Sequence, residues 1–231
     1  MVVDRRGALR CGLTALIGAF ATSACATDRE RITAPPFGAP APIVPGAGPP
    51  ANADEIRSVA MIGDSITVGA REPLTRMFAA ADLQVIALDA ENGRRIAVGS
   101  GAVASGIDVA GVVAAASPAP DLWVVALGTN DVQQYSPDEF ASLVSELLAE
   151  IPGGAPVVWV DVHIDQAVDV CARFNTALST ALGARGGAVV APWSAIAPTD
   201  GALSDGIHPT NTGTQLFADV VAASVAVATG R

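Results

Sequence analysis

The stretch Ser58-Val59-Ala60-Met61-Ile62-Gly63-Asp64-Ser65-Ile66-Thr67 sets the reading of the whole chain. Residues 58–62 make a short, nearly continuous apolar run that stops at a Gly, a carboxylate and a hydroxyl. A half-buried strand would alternate apolar and polar residues, so an unbroken run points to a strand covered on both faces. Four further runs, at 83–88, 122–127, 157–162 and 188–191, have the same character. Helical candidates follow them in turn, at 67–80, 103–116, 137–151, 165–182 and 210–228. Short strands alternating with longer helices predict an α/β domain on a five-stranded parallel sheet. One helix start is explicit: in Ser136-Pro137-Asp138-Glu139 the Ser can cap, the Pro suits the first turn and the Glu can close a capping box.

A parallel sheet binds ligands beyond the carboxyl ends of its strands, so the polar residues after each run carry the functional information. The first run is followed by Gly63-Asp64-Ser65, the second by Glu91-Asn92-Gly93 and the third by Gly128-Thr129-Asn130-Asp131. The loop after the fifth ends in Asp205-Gly206-Ile207-His208-Pro209. These supply a hydroxyl, an imidazole with a carboxylate three residues before it, a side-chain amide, and backbone N–H groups left accessible by Gly. They are the parts of a serine acyl-transfer site. A Ser hydroxyl needs a base to take its proton, and the sequence offers two His. His208 has Asp205 within one tight turn; His163, in Asp161-Val162-His163-Ile164-Asp165, reads better as a satisfied loop His. Asp64 and Asp131 read as carboxylates that order loops through backbone N–H groups. The Gly-x-Ser-x-Gly elbow of the α/β-hydrolases is absent, because Thr67 stands where its second Gly would be.

This ordered set resembles the SGNH, or GDSL-type, hydrolase family of esterases and lipases, over roughly residues 58–228. The matching blocks are Gly63-Asp64-Ser65, Gly93, Gly128-Thr129-Asn130-Asp131 and the terminal Asp205 and His208, with Ile66 where Leu is usual. The resemblance implies a three-layer α/β/α sandwich of flavodoxin-like type with strand order 2-1-3-4-5. It implies Ser65, Asp205 and His208 as a triad, with the Ser65 N–H, the Gly93 N–H and the Asn130 amide as oxyanion hole. Gly99 and Gly101 compete with Gly93 for that place. The expected activity is hydrolysis of a carboxylic ester through an acyl-enzyme, on a small-molecule, glycan or lipid ester. An acyltransferase using the same residues, and a silent surface lipoprotein that binds a partner, are the alternatives.

Composition narrows the classes further. The chain has 231 residues, 51 % of them hydrophobic, enough for one sizeable core. It contains no Lys, and 23 acids against 13 Arg give a net charge of −10, which argues against a nucleic-acid partner. No phosphate-binding loop or dinucleotide fingerprint follows the first strand, and two His with three Cys give no zinc-type ligand pairs. The expectation is chemistry without metal or cofactor. Arg94-Arg95, directly after Gly93, is the sole adjacent basic pair of the domain and a candidate clamp for an anionic substrate group.

The N-terminus reads as an address. Arg5, Arg6 and Arg10 precede an uncharged run over 11–27, too short to span a bilayer comfortably, with a small-x-small cleavage site at Ala24-Cys25-Ala26. The segment fits both ordinary secretion and the twin-arginine route, and lipidation of Cys25 is an alternative to simple cleavage. Residues 1–26 are thus expected as an export signal and the protein in the cell envelope or outside the cell. Removing them leaves 22 acids against 10 Arg, a net charge of −12, and Cys171 alone. Residues 27–55 read as a linker rich in Pro, Ala and Gly, with Pro at 35, 36, 40, 42, 45, 49 and 50. Such a linker would hold the 56–231 domain away from a membrane or cell-wall anchor, with a plain unstructured tail as the alternative.

Overall fold

In the computed structural model, residues 41–46, 55–99 and 101–231 are described. The expected export signal, Cys25 and most of the linker lie outside them. The five apolar runs form β1 (Ser58–Gly63), β2 (Gln84–Ala90), β3 (Leu122–Ala126), β4 (Val157–Val160) and β5 (Ala188–Ala191). They make one parallel sheet in the order β2-β1-β3-β4-β5. The sequence thus predicts both the strand set and its direction.

Two apolar layers cover the sheet, and strand alternation decides which residue feeds which. Ala60, Ile62, Trp123, Val125, Trp159 and Val190 face α3 (Gly106–Ala114), α4 (Pro137–Glu150) and α5 (Val168–Arg185). Val59, Met61, Val124, Val158 and Val189 face α1 (Ser65–Gly69), α2 (Arg71–Ala80) and α6 (Asn211–Ala228). Because both faces are occupied, the interior strands β1, β3 and β4 are apolar at nearly every position and show no polar alternation, whereas the edge strand β2 is half-buried and carries Gln84 and Asp89. Aromatic rings seal each layer: Phe140 and Phe174 lie 4.8 Å apart on one side, Trp193 and Phe217 5.2 Å apart on the other.

Helix starts follow local chemistry. Ser136 caps α4 and Glu139 returns to its backbone, forming the capping box that the sequence indicates. Ser105 and Asp108 build a second one at α3, which therefore begins at Gly106 and not at Val103. The helix expected over 67–80 is two, because the chain turns at Ala70 between α1 and α2. The expected start of the fourth helix at Asp165 is a single 3₁₀ turn, with α5 proper starting at Val168.

Part of the segment expected as a linker is held. The Ile43 N–H donates to the Val190 carbonyl at 3.1 Å and the Val190 N–H donates to the Ile43 carbonyl at 2.8 Å, an antiparallel bridge on β5. For function, the decisive feature is that β1 sits between β2 and β3. The loops after these three strands therefore converge at one end of the sheet, where the strand order reverses.

Candidate active site

Ser65 is the first residue of α1, directly beyond the end of β1, and its neighbour Asp64 caps the helix by accepting the Ile66 N–H at 3.0 Å. A first-turn position leaves the Ser65 backbone N–H without a partner inside the helix. The half-buried Ser65 side chain points away from the core: its Oγ lies 3.0 Å from His208 Nε2.

His208 belongs to a turn ordered by Asp205. The carboxylate of Asp205 accepts the Ile207 N–H at 3.0 Å and the His208 N–H at 2.8 Å through Oδ1, while Oδ2 is 2.8 Å from His208 Nδ1. The His208 backbone and side-chain bonds, with the Ile207 N–H, hold the Asp205 carboxyl down at about 2, so it is an anion at any ordinary pH. A carboxylate only accepts, so Nδ1 carries the proton and Nε2 is left free to accept the Ser65 hydroxyl hydrogen. Gly206 makes the turn possible. Its φ of +85° suits Gly, and a Cβ there would come within 2.5 Å of Gln166 Nε2. From behind, the Asp165 N–H donates to the Gly206 carbonyl at 2.9 Å.

Two further loops arrive at Ser65 from β2 and β3. Gly93, at φ +73°, lies in a turn closed by the Arg94 N–H on the Glu91 carbonyl at 3.3 Å; the Glu91 N–H in turn reaches the Gly63 carbonyl at 3.3 Å. The Asn130 amide donates to the Arg94 carbonyl at 3.1 Å and to Asp64 Oδ2 at 3.3 Å. The buried Asp131 carboxylate accepts the Ile96 N–H through both oxygens at 3.3 Å, pinning the β2 loop to the β3 loop. Ser65, Gly93 and Asn130 are thereby drawn to one place, whereas Gly99 and Gly101 have no such tie to Asn130. Burial pushes the Asp64 carboxyl up to about 7 and that of Asp131 to about 6.

The structure corrects one sequence expectation. Arg94 is buried, 2 % exposed, and its guanidinium is spent on Asp89, Gly63 and Ala104, so it cannot clamp a substrate. An adjacent Arg pair in an acidic chain reads as surface because the strand-end carbonyls that accept from Arg94 are assembled only in the fold. Arg95 is half-buried, and its charge acts on Asp131. His163 is buried and bonded through Nε2 to Asp165 Oδ1 at 2.8 Å, the satisfied loop His of the sequence reading. Sequence reading missed the Asn130 link to Asp64 and Arg94, and the Asp165 brace on Gly206. The signal available for the first was the bare order of the three loops.

Residues 61–216, spanning every one of these loops, match the GDSL-like Lipase/Acylhydrolase family. The chain belongs to this family. No curated protein matches it by sequence. Among solved structures it is similar to Est24, a carbohydrate acetylesterase from Sinorhizobium meliloti, at 18 % identity and TM-score 0.58, over 74 % of this chain and 98 % of that one. The C-terminal catalytic domain of peptidoglycan O-acetyltransferase A from Streptococcus pneumoniae, at 18 % identity and TM-score 0.56, covers 75 % of this chain and 94 % of its own. An acetyl xylan esterase variant from Geobacillus stearothermophilus, at 13 % and 0.56, covers 79 % and 96 %. At these identities the likeness is one of fold, and it matches the parallel sheet order of the GDSL-type domain.

Proposed function

We propose that this GDSL-family chain is an exported serine esterase that cleaves a short acyl ester, with Ser65 as nucleophile, His208 as base and Asp205 as its orienting carboxylate. The observation that carries this is the relay from Ser65 Oγ to His208 Nε2 at 3.0 Å and from His208 Nδ1 to Asp205 at 2.8 Å. Ser65 Oγ attacks the ester carbonyl as its proton passes to His208 Nε2. The tetrahedral oxyanion is held by the Ser65 and Gly93 N–H groups and one N–H of Asn130. Collapse expels the alcohol, which takes the proton from His208, and leaves the acyl group on Ser65. Water, deprotonated by His208, then attacks the acyl-enzyme and releases the acid. Metal and cofactor have no part in these steps.

Three fold relatives are a carbohydrate acetylesterase, an acetyl xylan esterase and a peptidoglycan O-acetyltransferase, which favours an acetylated glycan as substrate class. The peptidoglycan O-acetyltransferase among them supports a second reading, in which a sugar hydroxyl replaces water in the last step. The test is a chain-length series of p-nitrophenyl esters with and without an added sugar acceptor, run on wild type, Ser65→Ala, His208→Ala and the double variant. Both single variants are expected to lose nearly all turnover and the double variant little more, because the two residues act as one unit. A fluorophosphonate should label wild type and not Ser65→Ala. Turnover surviving in a folded Ser65→Ala protein overturns the reading. In the same series Arg95→Ala should raise KM for anionic esters and leave neutral ones unchanged if Arg95 faces the substrate.

A further inference from the structure

Among the described residues Arg94 is the one buried Arg, and burying a charge is costly unless its donors are satisfied. Its partners come from three separate segments. Nη2 donates to Asp89 Oδ1 at 2.7 Å and Nη1 to the Asp89 carbonyl at 2.9 Å, at the end of β2. Nη1 also reaches the Gly63 carbonyl, two residues before Ser65, at 3.3 Å, and Nε donates to the Ala104 carbonyl at 3.2 Å. The main chain of the same residue follows Gly93 directly and offers its carbonyl to the Asn130 amide at 3.1 Å. We infer that Arg94 is a positioning residue for ester cleavage: its guanidinium locks the ends of β1 and β2 to the main chain at Ala104, so that the Gly93 N–H and the Asn130 amide face the Ser65 Oγ. This rests on the proposed roles of Ser65, Gly93 and Asn130.

The carbonyl that holds Asn130 exists whatever the side chain at 94; the guanidinium decides where that carbonyl points. A planar fork reaches three segments at once, and a Lys ammonium, a point charge on a flexible stem, does not. Asp89 is the partner that neutralises the fork, and its side chain is 46 % exposed, so it can be altered with little loss of packing.

The test uses the full chain with Arg94→Lys, Arg94→Met and Asp89→Asn, beside Ser65→Ala, each checked for folding by circular dichroism. Arg94→Met should lower kcat about ten- to a hundredfold, on the scale of a misplaced oxyanion donor, with KM changed less than threefold. Arg94→Lys should recover part of that loss, and Asp89→Asn should fall between Lys and wild type. In ¹⁵N spectra the Asn130 side-chain amide and the Gly93 amide should shift in Arg94→Lys and exchange faster with solvent. If the Arg94 variants fail to fold, the kcat and spectra of Asp89→Asn decide. Wild-type kcat in folded variants, or unmoved Asn130 and Gly93 resonances, overturns the inference while leaving the nucleophile assignment intact. Activity retained by Ser65→Ala overturns that assignment instead, and the spectra then judge Arg94 alone.

Discussion

At the residue scale, the site depends on groups whose protonation and direction are fixed by one or two neighbours. Asn130 is the clearest case: both of its amide contacts are to groups within the cluster, at 3.1 and 3.3 Å, so the amide is aimed before any ligand arrives. Asn130→Ala removes a donor made useful only in the transition state. It should lower kcat about 10²- to 10³-fold, with thermal stability and KM nearly unchanged, in steady-state kinetics on a short ester. A drop in KM affinity with kcat retained would mean that the amide binds substrate and not the oxyanion. Ser65, Asp205, His208 and Asn130 were legible in the sequence because each stands just after a strand or in a tight turn, where backbone and side chain are close in the chain. The role of Arg94 was not legible, since Gly63, Asp89 and Ala104 are brought to it from up to 31 positions away.

At the scale of elements, apolar runs located β1, β3, β4 and β5 because each is buried on both faces, and β2 because its apolar residues, though only half-buried, still form an unbroken run. Helix ends were harder. The break at Ala70 is where the backbone leaves the helical region, at φ −94° and ψ 7°, directly after Gly69, whereas periodicity sees only the apolar residues that continue into α2. Ser136 and Glu139 were legible because a capping box is local. Ser136→Ala removes the acceptor for the Glu139 N–H and the partner of its carboxylate, and should destabilise α4 by about 1 kcal/mol. In a domain of this size that is a fall of about 2–4 °C in Tm by calorimetry, with ester turnover unchanged. An unchanged Tm would show that α4 is held by Phe140, Val144 and Leu147 in the core alone.

At the scale of the whole molecule, three buried carboxyls tune stability against pH. Burial raises Asp64 to about 7 and Asp131 and Asp161 to about 6, from 3.8 in each case. Between about pH 4 and 7 the folded chain therefore holds protons that the unfolded chain has released, and stability falls as pH rises through that window. Asp205, depressed to about 2, works in the opposite sense: its contribution is present above about 4 and is lost on approach to pH 2, though its exposure keeps it small. The thermal midpoint should peak near pH 4–5 and decline towards neutrality; a flat or rising midpoint over that interval would show that these groups are solvated. The Ile43–Val190 bridge has a further consequence, for how copies of the chain meet one another. β5 is the last strand of an open sheet, and Ile43 occupies the backbone positions through which a second molecule would add a strand. A chain beginning at residue 55, with the domain otherwise complete, should scatter more light as concentration rises, and Ile43→Pro, which loses the donated N–H, should do so more weakly. The segment around Ile43 would then guard the open edge of β5 against self-association.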